Sequence, residues 1–182
     1  MVLVLGKKVL LFTNSEFGQA NVFLAVAYEL LQRGYEVHIA SYDRLAKRVQ
    51  ALNDGQYGKL ARKAEFHQIN GEAMFKVVDD KYGSASEFRH GSGIRKALKS
   101  YPMLVQLACV WDGPEYIQAY QSCCDFIEMI KPDIIVVERL CLQAVDACKN
   151  LGQDYLMMTP NTLKETISTQ QPLFDQLCRF LA

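Results

Sequence analysis

A chain of 182 residues is long enough to bury one substantial core, and its 50% hydrophobic and 22% charged residues are the balance of a globular domain, not of a disordered or fibrous chain. Twenty basic and twenty acidic residues cancel, with no Lys/Arg stripe, which excludes the electrostatic footprint of a nucleic-acid binder. The apolar start, Met1 to Leu5, is too short for a signal peptide or a membrane span, and six cysteines without a CxxC pair point to buried thiols, so a cytoplasmic chain with no metal site is expected.

Lys8 to Phe12 (KVLLF) is an almost uninterrupted apolar run, as expected of a strand buried on both faces of a parallel sheet. Gln19 to Arg33 carries apolar residues around a helix that closes on Gly34. Glu36 to Ser41 predicts a second strand, and Asp43 can cap a short helix from Arg44 to Leu52. Glu65 to Ile69 predicts a third, weaker strand, with His38 and His67 as hydrogen-bonded core residues of strands two and three.

From Asn70 to about Tyr101 the pattern dissolves into glycine, serine and charge, which predicts loops and short helices. Gly113 to Ile130 is a helix stopped by Lys131-Pro132. Asp133 to Val137 (DIIVV) predicts strand four, Leu142 to Leu151 a helix closing on Gly152, Tyr155 to Met158 strand five, and Pro172 to Leu181 a final amphipathic piece.

Strands alternating with helices predict an α/β fold, a Rossmann-like parallel sheet with helices on both faces, in a single domain over 1–182. Ligands of such sheets bind beyond the carboxyl ends of the strands, so Thr13 to Gly18, the loop after Ser41, the loop after Ile69, Glu138 to Leu140 and Thr159 to Thr162 are candidate positions. The first loop, Thr13-Asn14-Ser15-Glu16-Phe17-Gly18-Gln19, has one glycine and a carboxylate where a dinucleotide fingerprint needs three glycines and no negative charge, so NAD or FAD binding is not expected. Glu138, at the carboxyl end of an apolar strand, needs a partner if buried, and burial raises its pKa toward that of a general base. Phe17, Phe75, Trp111 and Tyr116 are residues of the type that lines an apolar acceptor pocket, and His90 sits in a Gly/Ser-rich loop able to cover one.

Gly18-Gln19-Ala20-Asn21-Val22, followed by Arg33-Gly34-Tyr35-Glu36-Val37, resembles the opening of fungal UDP-glycosyltransferases of the B-type fold. Trp111-Asp112-Gly113-Pro114-Glu115-Tyr116, Lys131-Pro132-Asp133 through Glu138, and Thr159-Pro160-Asn161-Thr162 are similar to their acceptor-side segments. The resemblance implies the N-terminal half of such an enzyme, binding a lipophilic hydroxyl compound of secondary metabolism. It places Gln19 where the family has a catalytic histidine and Glu138 where it has the acid that orients that histidine, with Phe17, Gly18, Phe75, His90, Trp111 and Asn161 around the acceptor. A carboxamide hydrogen-bonds a hydroxyl but cannot take its proton.

The family's second, UDP-binding domain has no match here, so the chain is not expected to hold a cofactor or to transfer sugar alone. A UDP-sugar would be bound only with a donor-domain polypeptide as partner. Two other readings stay open: a stand-alone binding or cyclase/lyase-like module with Glu138 as acid/base, and an inactive truncated chain that acts as a homodimer or interaction partner.

Overall fold

A computed structural model describes residues 6–60, 62–82 and 110–160. The chain divides into two compact units, the first comprising 1–73 with 113–160 and the second 74–112 with 161–182. The first unit carries strands β1 (Lys8–Phe12), β2 (Glu36–Ser41), β3 (Glu65–Gln68), β4 (Ile134–Glu138) and β5 (Leu156–Met158). They form one parallel sheet in the order β3-β2-β1-β4-β5, as the βαβ alternation predicts.

Helix α1 (Phe17–Gln32) packs on one face of that sheet, because Ala20, Phe23, Leu24, Ala27 and Leu31 recur at helical spacing and are all buried. They meet Val9, Leu11, Val37 and Ile39, the residues that alternation along β1 and β2 turns toward the same side, and α2 (Ala46–Asn53) adds Val49 and Leu52. Burying Phe23 or Leu31 completely, as here, stabilises by about 1.5–3 kcal/mol each relative to exposure. Helices α4 (Gly113–Ile130) and α5 (Leu142–Asn150) also belong to this unit and pack extensively on each other. The second unit contributes one described helix, α3 (Met74–Tyr82).

Element ends follow the expected local chemistry. Gly34 takes φ +86°, and Gly34 and Tyr35 return their amides to the Leu31 and Leu30 carbonyls, which closes α1. Lys131 adopts a left-handed φ of 49° ahead of Pro132 and so ends α4. Two boundaries differ from the sequence reading in ways that matter for the site. Helix α1 starts at Phe17, two residues early, because Glu16 is extended and its carbonyl already accepts from the Ala20 amide, which puts Gln19 inside the first turn. Strand β4 runs one residue late because the Asp133 carboxylate accepts the Lys8 amide at 2.8 Å, which makes Glu138 the last residue of the strand.

Candidate functional site

Three strands end in polar residues on the α1 side of the sheet. Alternation continues Val9 and Leu11 to Thr13, Val37 and Ile39 to Ser41, and Ile134 and Val136 to Glu138, each the next position on the face that packs against α1. Thr13, Ser41 and Glu138 all have no exposed surface. Apolar strands thus carry a polar row at their carboxyl ends, beside the turn into α1.

Glu138 Oε2 accepts the Asn14 backbone amide at 2.8 Å, tying the end of β4 to the loop that leads into α1. Its Oε1 has no well-formed hydrogen bond among the described residues. Burial pushes the Glu138 pKa up, opposed by the Asn14 amide and by weaker polar contacts from the Leu140 amide and the Asn14 and Thr13 side chains. The nearby Cys141 thiol is pushed up to about 12, chiefly by burial and then by the Glu138 charge, so it is a protonated, inert thiol.

Several polar atoms at these strand ends are buried without a well-formed hydrogen bond among the described residues: both amide atoms of Asn14, beyond the weak contact to Glu138, the Ser15 and Ser41 hydroxyls, and both amide atoms of Gln143 in the first turn of α5. Folded proteins rarely leave such groups unsatisfied, since each costs about 1–3 kcal/mol, and a cluster at the strand ends is where ligand groups are normally received. Leu140 and Leu142 bracket buried Cys141 and are partly exposed, which supplies apolar surface at the same edge. Tyr42 is fully buried, and its pKa is raised by burial and then by Cys141, Cys123 and Tyr116. The Tyr116 hydroxyl donates to Asp146 at 2.6 Å, which ties α4 to α5.

The residues expected at the site are distributed as follows. Gln19 is half-buried in the first turn of α1, and no hydrogen bond joins it to Glu138; the carboxylate is held by the Asn14 amide instead. Phe17 is 74% exposed, with the Arg48 guanidinium 4.6 Å over its ring, and a Cβ built at Gly18 would meet open space. Phe75 and Trp111 belong to the second unit, where Phe75 is half-buried and Trp111 buried. His90 and Asn161 lie outside the described residues. Asn14 lies in the loop from Thr13 to Gly18 that the sequence singles out, whereas Ser41, read as the last residue of a strand, and Gln143, read as a helix residue, give no signal of their own in the sequence.

Two concavities are formed by described residues of the first unit. One, of about 460 Å³, is lined by Asn21, Leu24, Ala25, Tyr28 and Tyr57, and the other lies between the ends of α4 and α5 at Ile127, Lys131, Leu151 and Gln153. Glu138, Asn14 and Gln19 do not line either of these two. Convergent unsatisfied groups are the stronger sign of a ligand, because an empty groove has no energetic cost comparable to theirs.

A nucleoside diphosphate does not fit the described residues. The first loop offers no glycine cradle, the Asn14 amide is taken by Glu138, and α1 opens behind the Glu16 carboxylate. No described helix is long and apolar enough to cross a membrane.

No family model matches the chain. The chain is similar along nearly its whole length to fungal glycosyltransferases. It is 23% identical to a glycosyltransferase of Sordaria araneosa, over 96% of this chain and 36% of that protein. It is 28% identical to erythritol-mannosyl-transferase 1 of Pseudozyma antarctica, over 92% of this chain and 27% of that protein. It therefore spans about a third or less of the length of these curated relatives.

Among solved structures, a glycosyltransferase of Streptomyces sp. SF2575 superposes with a TM-score of 0.58 at 14% identity, covering 84% of this chain and 39% of that one. The calicheamicin glycosyltransferase gives 0.57 at 14% identity over 96% and 35%. The Streptomyces enzyme has also been crystallised with thymidine diphosphate. The five-stranded parallel sheet with its helices is the fold of the N-terminal domain of B-type glycosyltransferases, as the sequence resemblance implied.

Proposed function

We propose that this chain is the acceptor-binding side of a glycosyltransferase that modifies a lipophilic hydroxyl compound. The observation that carries this reading is the row of buried, unpartnered polar groups at the carboxyl ends of β1, β2 and β4, locked to the start of α1 by the Glu138–Asn14 bond. An acceptor hydroxyl entering there would satisfy the Asn14 and Gln143 amides, while Leu140, Leu142 and Phe17 cover its apolar body. Gln19, half-buried one helical turn from the loop, would hydrogen-bond the hydroxyl and orient it without removing its proton. Glu138 is a positioning residue: its Oε2 accepts the Asn14 amide, and it acts by fixing the backbone that presents Asn14 and Gln19.

The likeness to fungal glycosyltransferases favours this reading over a lyase or cyclase with Glu138 as the acid or base. The sugar nucleotide would be held by residues beyond those described here, in a longer chain or a donor-domain partner, because no diphosphate cradle is formed by the described ones.

Calorimetric titration of the full chain with a lipophilic phenol such as 1-naphthol, against its methyl ether, tests the proposal. The phenol is expected to bind at least about tenfold more tightly, since a missing hydroxyl leaves the site's polar groups unpaired. Equal binding of the two, or none, overturns it.

A further inference from the structure

On the other face of the sheet, away from α1, the edge strand β3 and its neighbour β2 bring three metal-ligating side chains together. Parallel register pairs His38 of β2 with Glu65 of β3 and Ala40 with His67, so His38, Glu65 and His67 share one face, and the His67 ring meets Phe126 of α4 at 5.3 Å. Their ligand atoms all lie within 4.8 Å of one another. His38 Nδ1 stands 3.0 Å from His67 Nε2, and the Glu65 carboxylate oxygens are 3.5 Å from the first and 3.8 Å from the second. Ligands held tetrahedrally at ~2.0–2.1 Å from Zn²⁺ stand about 3.3 Å apart, so the two imidazole nitrogens already stand near that spacing, and the exposed Glu65 side chain has only to turn one oxygen onto the ion. We propose that His38, Glu65 and His67 form a binding site for a divalent transition-metal ion of the Zn²⁺ type, clamping the edge strand β3 to β2.

The surrounding chemistry supports this assignment. His38 Nε2 lies 3.0 Å from Glu36 Oε1, and a carboxylate only accepts, so the His38 proton sits on Nε2 and its lone pair on Nδ1 faces the cluster. A carboxylate behind a ligating histidine, fixing its tautomer, is the usual outer support of such sites. Without metal, the Nδ1 lone pair accepts from His67 Nε2–H. On binding, the His67 proton moves to its own Nδ1, and both facing nitrogens become ligands with no net proton change. The two imidazoles are buried while Glu65 is largely exposed, which gives the ion an entry path and leaves its fourth position to water. Asn53 holds the strand entrance by bonding the Ala64 amide and carbonyl, both at 2.8 Å, so the ligand on β3 is placed before any ion arrives.

The test is a titration of the full, tag-free chain with Co²⁺ and Zn²⁺, read by absorbance and by thermal unfolding. One Co²⁺ per chain with the visible bands of a four-coordinate N/O site and no near-ultraviolet thiolate band is expected, and Zn²⁺ should raise the unfolding temperature until chelator is added. Glu65→Gln, an exposed change that leaves the core intact, should abolish both effects with its circular dichroism unchanged, and Glu36→Gln should weaken affinity roughly 10- to 100-fold. Absent metal-dependent stabilisation, undiminished binding in Glu65→Gln, or a thiolate band that assigns the ion to cysteines would each overturn the proposal.

Discussion

Replacing Glu138 by glutamine isolates the contribution of one buried carboxyl to stability and gives it a sign. The carboxyl is fully buried, and burial raises its native pKa above the 4.5 of the ordinary group. The folded chain therefore holds this proton more tightly than the unfolded one. The stabilisation from that preference is fully present below pH 4.5 and is lost as pH rises through the native pKa. Within that window each pH unit removes at most about 1.4 kcal/mol. Glutamine keeps the shape and can accept the Asn14 amide bond through its carbonyl, yet does not titrate, so Glu138→Gln gains relative to the natural chain as pH rises above 4.5. Urea unfolding followed by circular dichroism at half-unit steps from pH 4 to 8 measures the difference, and groups common to both chains cancel. Parallel curves, or a natural chain that gains on the variant with rising pH, would refute the assignment of Glu138 as a carboxyl strained by burial.

Three further substitutions separate binding from folding. Asn14→Ala removes two buried amide atoms that lack well-formed hydrogen bonds and keeps the backbone amide that bonds Glu138, so stability should hold or rise by about 1–3 kcal/mol in urea unfolding while phenol binding is lost. Phe23→Ala opens a cavity in the α1 core and should cost about 3–5 kcal/mol by the same assay. Arg48→Ala frees the exposed Phe17 ring and the Asn21 contact, and should cost about 0.5–1 kcal/mol of stability. If Phe17 covers the acceptor, that variant also binds the phenol more weakly in calorimetry.

The fold was legible because its signals are periodic and local. The apolar runs at Lys8–Phe12 and Ile134–Val137, the helix closing on Gly34 and the stop at Lys131-Pro132 all sit where pattern and caps put them. Glu138 stood out for a similar reason, as a charge closing an apolar strand. What stayed hidden depends on register across the sheet. Ser41 and Gln143 are ordinary strand or helix residues in one dimension, and only the folded chain shows them buried without partners among the described residues. His38 and His67, 29 positions apart, are buried and hydrogen-bonded as expected, but their shared face with Glu65 follows from the β2–β3 pairing alone. Gln19 shows the opposite limit: its family position was visible, yet the partner implied for Glu138 is the Asn14 amide, a backbone group that no side-chain pattern encodes.

Photoaffinity labelling of the full chain with a diazirine-bearing phenol, mapped by peptide mass spectrometry, tests most directly whether the strand ends receive the acceptor. The account predicts labels on 13–19 and 138–143, suppressed by excess 1-naphthol and absent from Asn14→Ala. Labels confined to the groove of Asn21, Tyr28 and Tyr57, or unaffected by the competing phenol, would contradict it.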